Sequence, residues 1–123
     1  MGTRSVAVAL AALVVAGCGH SAAGGSRPVL SRSEFVAQAN RVCRDASTRA
    51  ARVAGLGRLR PPAAAKELYH HLLAAEREAL AAEKELEHPA EQLKGDPRIP
   101  LTIAEGKITG YTRRLVMHEC EEP

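Results

Sequence analysis

The chain has 123 residues and a formal net charge of +3; 46% of its residues are hydrophobic, yet it holds no Trp, one Phe and two Tyr, and Ala supplies much of the apolar content with 23 copies. That length allows one small domain, and the shortage of aromatics argues against a wide aromatic-lined pocket for a cofactor or drug-sized ligand. Ala-rich, Leu-spaced sequence of this kind packs helices closely against one another, so an all-α fold is expected.

At the N-terminus, Arg4 precedes an uncharged apolar run from Ser5 to Gly17. At 1.5 Å per helical residue this run spans roughly 20 Å, short of the ~30 Å hydrocarbon core, so it reads as a secretory signal peptide over residues 1–17. Its end, Val15-Ala16-Gly17-Cys18, resembles the lipobox of bacterial lipoproteins. The resemblance implies that Cys18 is acylated and becomes the first residue of the mature chain. Three Cys in an exported chain leave one unpaired, and lipidation of Cys18 removes the odd one. Cys43 and Cys120 then remain, and an oxidising compartment favours a disulfide between them. Residues 18–29, rich in Gly, Ser and Ala, form the lipidated Cys and a flexible tether with a reach of roughly 18 Å. Residues 30–123 form the domain.

A first helix is signalled at Ser31, where Ser31 and Glu34 make a capping box and Leu30 and Phe35 a hydrophobic staple. Phe35, Ala39, Val42, Ala46, Ala50 and Val53 then recur at spacings of three and four, which predicts one continuous helix as far as Gly55 and Gly57. Pro61 and Pro62 suit the first turn of a second helix. There Ala65, Leu68, Leu72, Ala75, Ala79, Ala82 and Leu86 follow an a/d heptad, and Leu93 extends that register past Pro89. Gly95-Asp96-Pro97 stops this helix and starts a third, with Leu101, Ala104, Ile108, Tyr111 and Leu115 in one stripe. The expected architecture is an antiparallel three-helix bundle with one disulfide. Counting axial levels along straight helices brings Cys120 within about 4.5 Å of the level of Cys43 only if the second helix bends at Pro89 and continues. The third helix is expected to loosen after Met117 and turn Cys120 inward.

Charge is unevenly spread. Residues 27–60 hold eight basic and two acidic residues, net +6, whereas residues 61–94 hold four and seven, net −3. Nucleic acid is not the expected partner, because an exported chain rarely meets it and no aromatics interleave the arginines. Glu76, Glu78, Glu83 and Glu85 occupy e and g positions beside the helix 2 seam, positions that pair across to a partner helix. The level count sets Glu76 near Arg41 and Arg44, and Glu85 near Arg32. Arg27 and Arg32, close to the anchor, could instead rest on anionic lipid.

Catalytic chemistry is not signalled. Glu67 to His70 and Glu85 to His88 have the E-x-x-H spacing of di-iron bundles, but both lie on one helix about 27 Å apart, and Glu67 and His70 fall on its outer face. His71 and His118 read as surface residues. No P-loop, dinucleotide fingerprint or zinc-ligand spacing appears, so no enzyme, metal or cofactor is expected. Gly106 and Gly110 suggest close packing within the bundle. Ile99, Ile103 and Met117 lie on the same side and, with Gly106 and Gly110, define a candidate apolar groove for a partner.

With these residues together, the chain resembles the uncharacterised small lipoproteins of actinobacteria and related high-GC bacteria: the lipobox at Cys18, SEFVAQANRVC ending in Cys43, LRPPA at 59–63, the KGDP turn at 94–97 and a terminal Cys120. The resemblance implies anchoring to the extracytoplasmic face of the cell membrane, with membrane lipid as a partner through acylated Cys18, but no activity. The leading expectation is a lipid-anchored helical bundle acting as an envelope interaction or structural protein with an envelope protein partner. The alternative is a binding protein for a metal ion or small apolar ligand.

Overall fold

The structure, a computed structural model, describes residues 28–121. The expected signal peptide, Cys18 and residues 19–27 of the tether lie outside the described residues. Four α-helices and no strands make up the described residues: α1 Arg32–Asp45, α2 Arg49–Leu56, α3 Lys66–Leu86 and α4 Arg98–Leu115. Single 3₁₀ turns occupy Ala63–Ala65, Ala90–Gln92 and His118–Cys120. None of the described helices is long and apolar enough to cross a membrane.

α1 starts as its sequence dictates. Ser31 Oγ accepts from the Glu34 N–H at 3.3 Å while Glu34 Oε2 accepts from the Ser31 N–H at 3.0 Å. This closes the capping box and satisfies two of the donors a helix start leaves open. The Ser31 hydrogen bonds also hold the Glu34 carboxyl below its ordinary value. Leu30 packs, partly buried, against the core cluster to which Phe35 belongs.

The continuous first helix expected from its apolar stripe is instead two. Thr48 takes an extended conformation and its side chain accepts from the Ala51 N–H at 3.1 Å, which makes it the N-cap of a new helix, α2. A hydroxyl so placed competes with the intrahelical ladder. Phe35, Ala39 and Cys43 are buried, but Ala50 is exposed, so the stripe does not run through the break. α2 folds back against α1 so closely that a Cβ on Gly55 would lie 2.6 Å from Val42 Cγ1, and glycine alone fits the crossing.

α3 is the central helix. Ala65 before it, then Leu72, Ala75, Ala79 and Ala82 are buried and Leu68 half-buried as the heptad requires, but Leu86 at its end is exposed; Tyr69, Leu73 and Glu76 widen the buried face because α2 and α4 both pack on this helix. It ends at Leu86. The helix expected to bend at Pro89 and continue does not form, because a residue before proline is turned away from the helical region and Pro89 itself offers no N–H. Leu93 is therefore not in the heptad register. Asp96 Oδ1 accepts from the Arg98 N–H at 3.0 Å and starts α4 beside Pro97, which tolerates Pro100 in its first turn.

α4 returns antiparallel to α3, with Lys107 Nζ 2.8 Å from Glu78 Oε2 and the His71 and Tyr111 rings stacked at 5.8 Å. It closes in a Schellman turn: Met117 N–H donates to Thr112 O at 2.8 Å and Val116 N–H to Arg113 O at 3.2 Å. Val116 takes the left-handed conformation, φ 63°, that glycine usually supplies there. The turn redirects the chain into His118–Cys120, and the Glu119 N–H donates to Asn40 Oδ1 at 3.1 Å. Cys120 is fully buried and bonded to Cys43, with Cα atoms 5.0 Å apart. The disulfide therefore forms without the continuous second helix that level counting favoured. That count assumed a straight first helix, and the break at residues 46–48 gives α1 and α2 separate axes.

The core joins Phe35, Leu56, Tyr69, Leu72, Ile108 and Met117 with a set of alanines. Phe35 and Tyr69 meet edge to face at 4.8 Å, and the Tyr69 hydroxyl donates to Leu56 O at the end of α2, a carbonyl that also accepts from the Leu59 N–H at 3.0 Å.

Two measurements test this arrangement. The bridge spans a sequence separation of 77, so its removal by reduction or as Cys43→Ala/Cys120→Ala is expected to cost between about 2 and 4.5 kcal/mol in urea unfolding. Burial holds the Tyr69 phenol well above its ordinary 10.0, against a smaller opposing pull from Arg77. A folded value above the unfolded one means the neutral phenol contributes fully below pH 10 and less as pH rises beyond it. Stability measured above pH 10 is expected to fall more steeply in the native chain than in Tyr69→Phe.

Candidate functional site

Three features outside the apolar core bear on function. The first is a buried ionic cluster. Arg49, at the start of α2 and with its side chain 6% exposed, places Nη1 3.0 Å from Glu76 Oε2, Nε 2.7 Å from Glu83 Oε1 and Nη2 3.5 Å from Glu105 Oε1. Arg52 Nε lies 3.1 Å from Oε1 of the same Glu76, whose side chain is fully buried. One guanidinium thus ties α2 to both α3 and α4. The geometry is that of a structural clasp, since every carboxylate in it faces an arginine. Glu76, Glu78 and Glu83 of α3 do pair across to neighbouring helices, as their e and g positions predict, but the partners of Glu76 are Arg49 and Arg52, and Glu85, expected near Arg32, lies at the opposite end of α3 beside Pro97 and Pro100. Arg41 and Arg44, expected there, are exposed on α1, where Arg44 Nε lies 3.5 Å from Asp45. The break before Thr48 rotates Arg49 and Arg52, and not α1, toward α3.

The second feature is apolar. Ile99 is 62% and Ile103 55% exposed, and Ile103 and Pro100 line a shallow depression with Ala81 and Ala82, rimmed by Glu78, Glu85 and Lys107. Gly106 and Gly110 face open space, with no atom within 4 Å of a Cβ built on either, so they do not mediate the close packing expected of them. Met117 is fully buried in the core and is not part of this surface. It follows the left-handed turn at Val116, so its side chain departs from the periodicity that assigned it to the groove.

The third feature is a pair of clefts at the end of the bundle where α1 begins and α4 ends. One, of about 850 Å³, is lined by Arg58, Arg60, Lys66, Pro61, His70 and Val29. The other lies between Arg32 and Arg114, over Ala64, Ala65 and Leu68. The sequence showed the basic excess of residues 27–60 but not this convergence, which depends on the 57–62 segment returning over the start of α3.

The described histidines, His70, His71, His88 and His118, are exposed. Glu67 and His70 lie on the exposed face of α3, Glu67 Oε1 stands 3.9 Å from His71 Nε2, and His118 Nδ1 3.7 Å from Glu121. Among the described residues no three His, Cys, Asp or Glu side chains converge as a metal site. In comparison with known proteins, no family model, curated protein or solved structure matches this chain.

Removing Arg49 leaves Glu76 buried with part of its pairing lost. Arg49→Met is expected to destabilise the domain by about 3–5 kcal/mol in urea unfolding, whereas Arg44→Ala at the exposed pair leaves the midpoint unchanged.

Proposed function

We propose that the protein is an extracytoplasmic lipoprotein, held at the membrane by acylated Cys18, whose disulfide-closed helical domain binds a partner in the cell envelope. The observation that carries the reading is the Cys43–Cys120 bridge. A buried disulfide is in keeping with an oxidising compartment, and it uses two of the three cysteines, leaving Cys18 at the end of the apolar leader for another role. The proposed contact for the partner is the exposed strip at Ile99, Pro100 and Ile103: the corner before it, residues 87–97, is largely exposed, so an incoming surface meets little obstruction.

Cells fed an alkyne palmitate analogue are expected to label the native chain and not the Cys18→Ala variant; labelling that survives the substitution, or none in either, overturns the anchor. A photo-crosslinking residue at position 103 is expected to capture one discrete envelope protein in native membranes, and the same residue at Arg41, on another face, is not.

A further inference from the structure

We propose that the basic end of the bundle is a second membrane contact, a surface that docks on anionic lipid headgroups beside the acyl anchor. The proposal rests on the lipoprotein reading for the membrane it names. It stands on the placement of charge and on where the chain enters the fold.

Four cations, Arg32, Arg60, Lys66 and Arg114, line the two clefts beside Arg58, which has a partner of its own, and among the described residues no carboxylate lines either one. They come from four parts of the chain: the first turn of α1, the segment after α2, the first turn of α3 and the last turn of α4. No local sequence pattern requires such a gathering. Two acids stand at this end as well: Glu34, in the first turn of α1, is held by Ser31, and Glu67 lies beside His71 in a hollow that shares Lys66 and His70 with the larger cleft. The other end of the bundle differs in sign: residues 84–98 hold Glu85, Glu87, Glu91 and Asp96 against Lys84, Lys94 and Arg98, and Arg98 is paired to Asp96 at 2.7 Å. α3 separates the two ends by about 30 Å, so the domain carries its charge as a long dipole.

The chain enters the fold at the basic end. Val29, an exposed residue, lines the larger cleft itself, and only residues 19–28 separate it from Cys18. A segment of that length and composition reaches roughly 18 Å, so an anchor at Cys18 brings the cationic end close to the leaflet. The opposing acidic end then faces away. Both the attraction of the near end and the repulsion of the far end favour this one orientation on an anionic surface. A lipid surface suits this end better than a single small anion, because the cations are exposed and spread over two separate clefts, with no polar side chain buried at a common focus.

The test uses residues 18–123 with Cys18→Ser, which carries no acyl chain and keeps the whole of the core described above. Co-sedimentation compares vesicles of phosphatidylcholine mixed with phosphatidylglycerol against phosphatidylcholine alone. Binding is expected to the mixed vesicles only, and to weaken as salt is added. Each basic residue near an anionic surface contributes about fivefold in partition, so Arg60→Gln/Lys66→Gln is expected to lose about 25-fold. Lys84→Gln/Lys94→Gln, with the same change in net charge at the other end, is expected to bind within about twofold of the parent. All four positions are exposed, and circular dichroism checks that both variants stay folded. Absence of binding to the mixed vesicles, equal binding to neutral ones, or equal loss in the two variants overturns the docking surface. Failure of acyl labelling at Cys18 overturns the anchor alone, since the vesicle assay uses unacylated protein.

Discussion

The fold depends on the contact between Arg49 and Glu76. α2 has eight residues, too few to be stable alone, and Leu56 is its one buried residue. It nevertheless supports the middle of the domain, since α3 buries a wide face partly beneath it. Arg49 and Arg52 bring two guanidinium groups to the fully buried carboxylate of Glu76, and Arg49 reaches on to Glu83 and Glu105. Burying such charges costs much of what their attraction returns, so the net stability is modest; what the cluster contributes is a single permitted position for α2. The Tyr69 hydroxyl on the Leu56 carbonyl and the Gly55 crossing over Val42 hold the other end of the same short helix.

This arrangement answers the poverty of large side chains. With few aromatics, the helices gain contact by approaching closely, and the alanines of α3 at 75, 79 and 82 permit that approach. Phe35 and Tyr69 sit together where α1 meets α3, so two of the three aromatic residues serve one junction. Elsewhere Leu56, Leu72, Ile108, Leu115 and Met117 fill the interior, and of the described residues only Glu76 and Thr112 are polar and buried there.

Local signals in the sequence were legible where chemistry is local. The Ser31–Glu34 box, the Gly57 stop, the Asp96 start and the inward turn of Cys120 each depend on a few neighbouring residues, while the helical class followed from the Ala-rich, Leu-spaced composition and the cysteine pairing from a count of three. The failures all involve competition between signals. Ala46 and Ala50 satisfy an apolar stripe as well as any helix requires, yet alanine is indifferent to exposure, so it could not report that Thr48 had won. Leu93 fitted a heptad that Pro89 had already ended. Of the candidate groove, Ile99 and Ile103 are exposed together, whereas Met117 follows a left-handed residue whose effect on direction no periodicity contains. The basic clefts were legible only as a regional excess, because their convergence is a property of how four chain segments end at one place.

The bridge between Cys43 and Cys120 also determines how the domain carries a pull. The covalent path from Leu30 to Glu121 runs along α1 to Cys43, crosses the sulfurs and leaves at once through Cys120. Residues 44–119 hang from that path as a closed ring. Tension between the two ends can draw out only the part of α1 before Cys43, about 45 Å of chain, where the open form would yield roughly 300 Å. The ionic clasp and the α3–α4 pair are never loaded. The domain therefore behaves under traction as a short tether with a sheltered body, and only a reductant converts it into an extensible one.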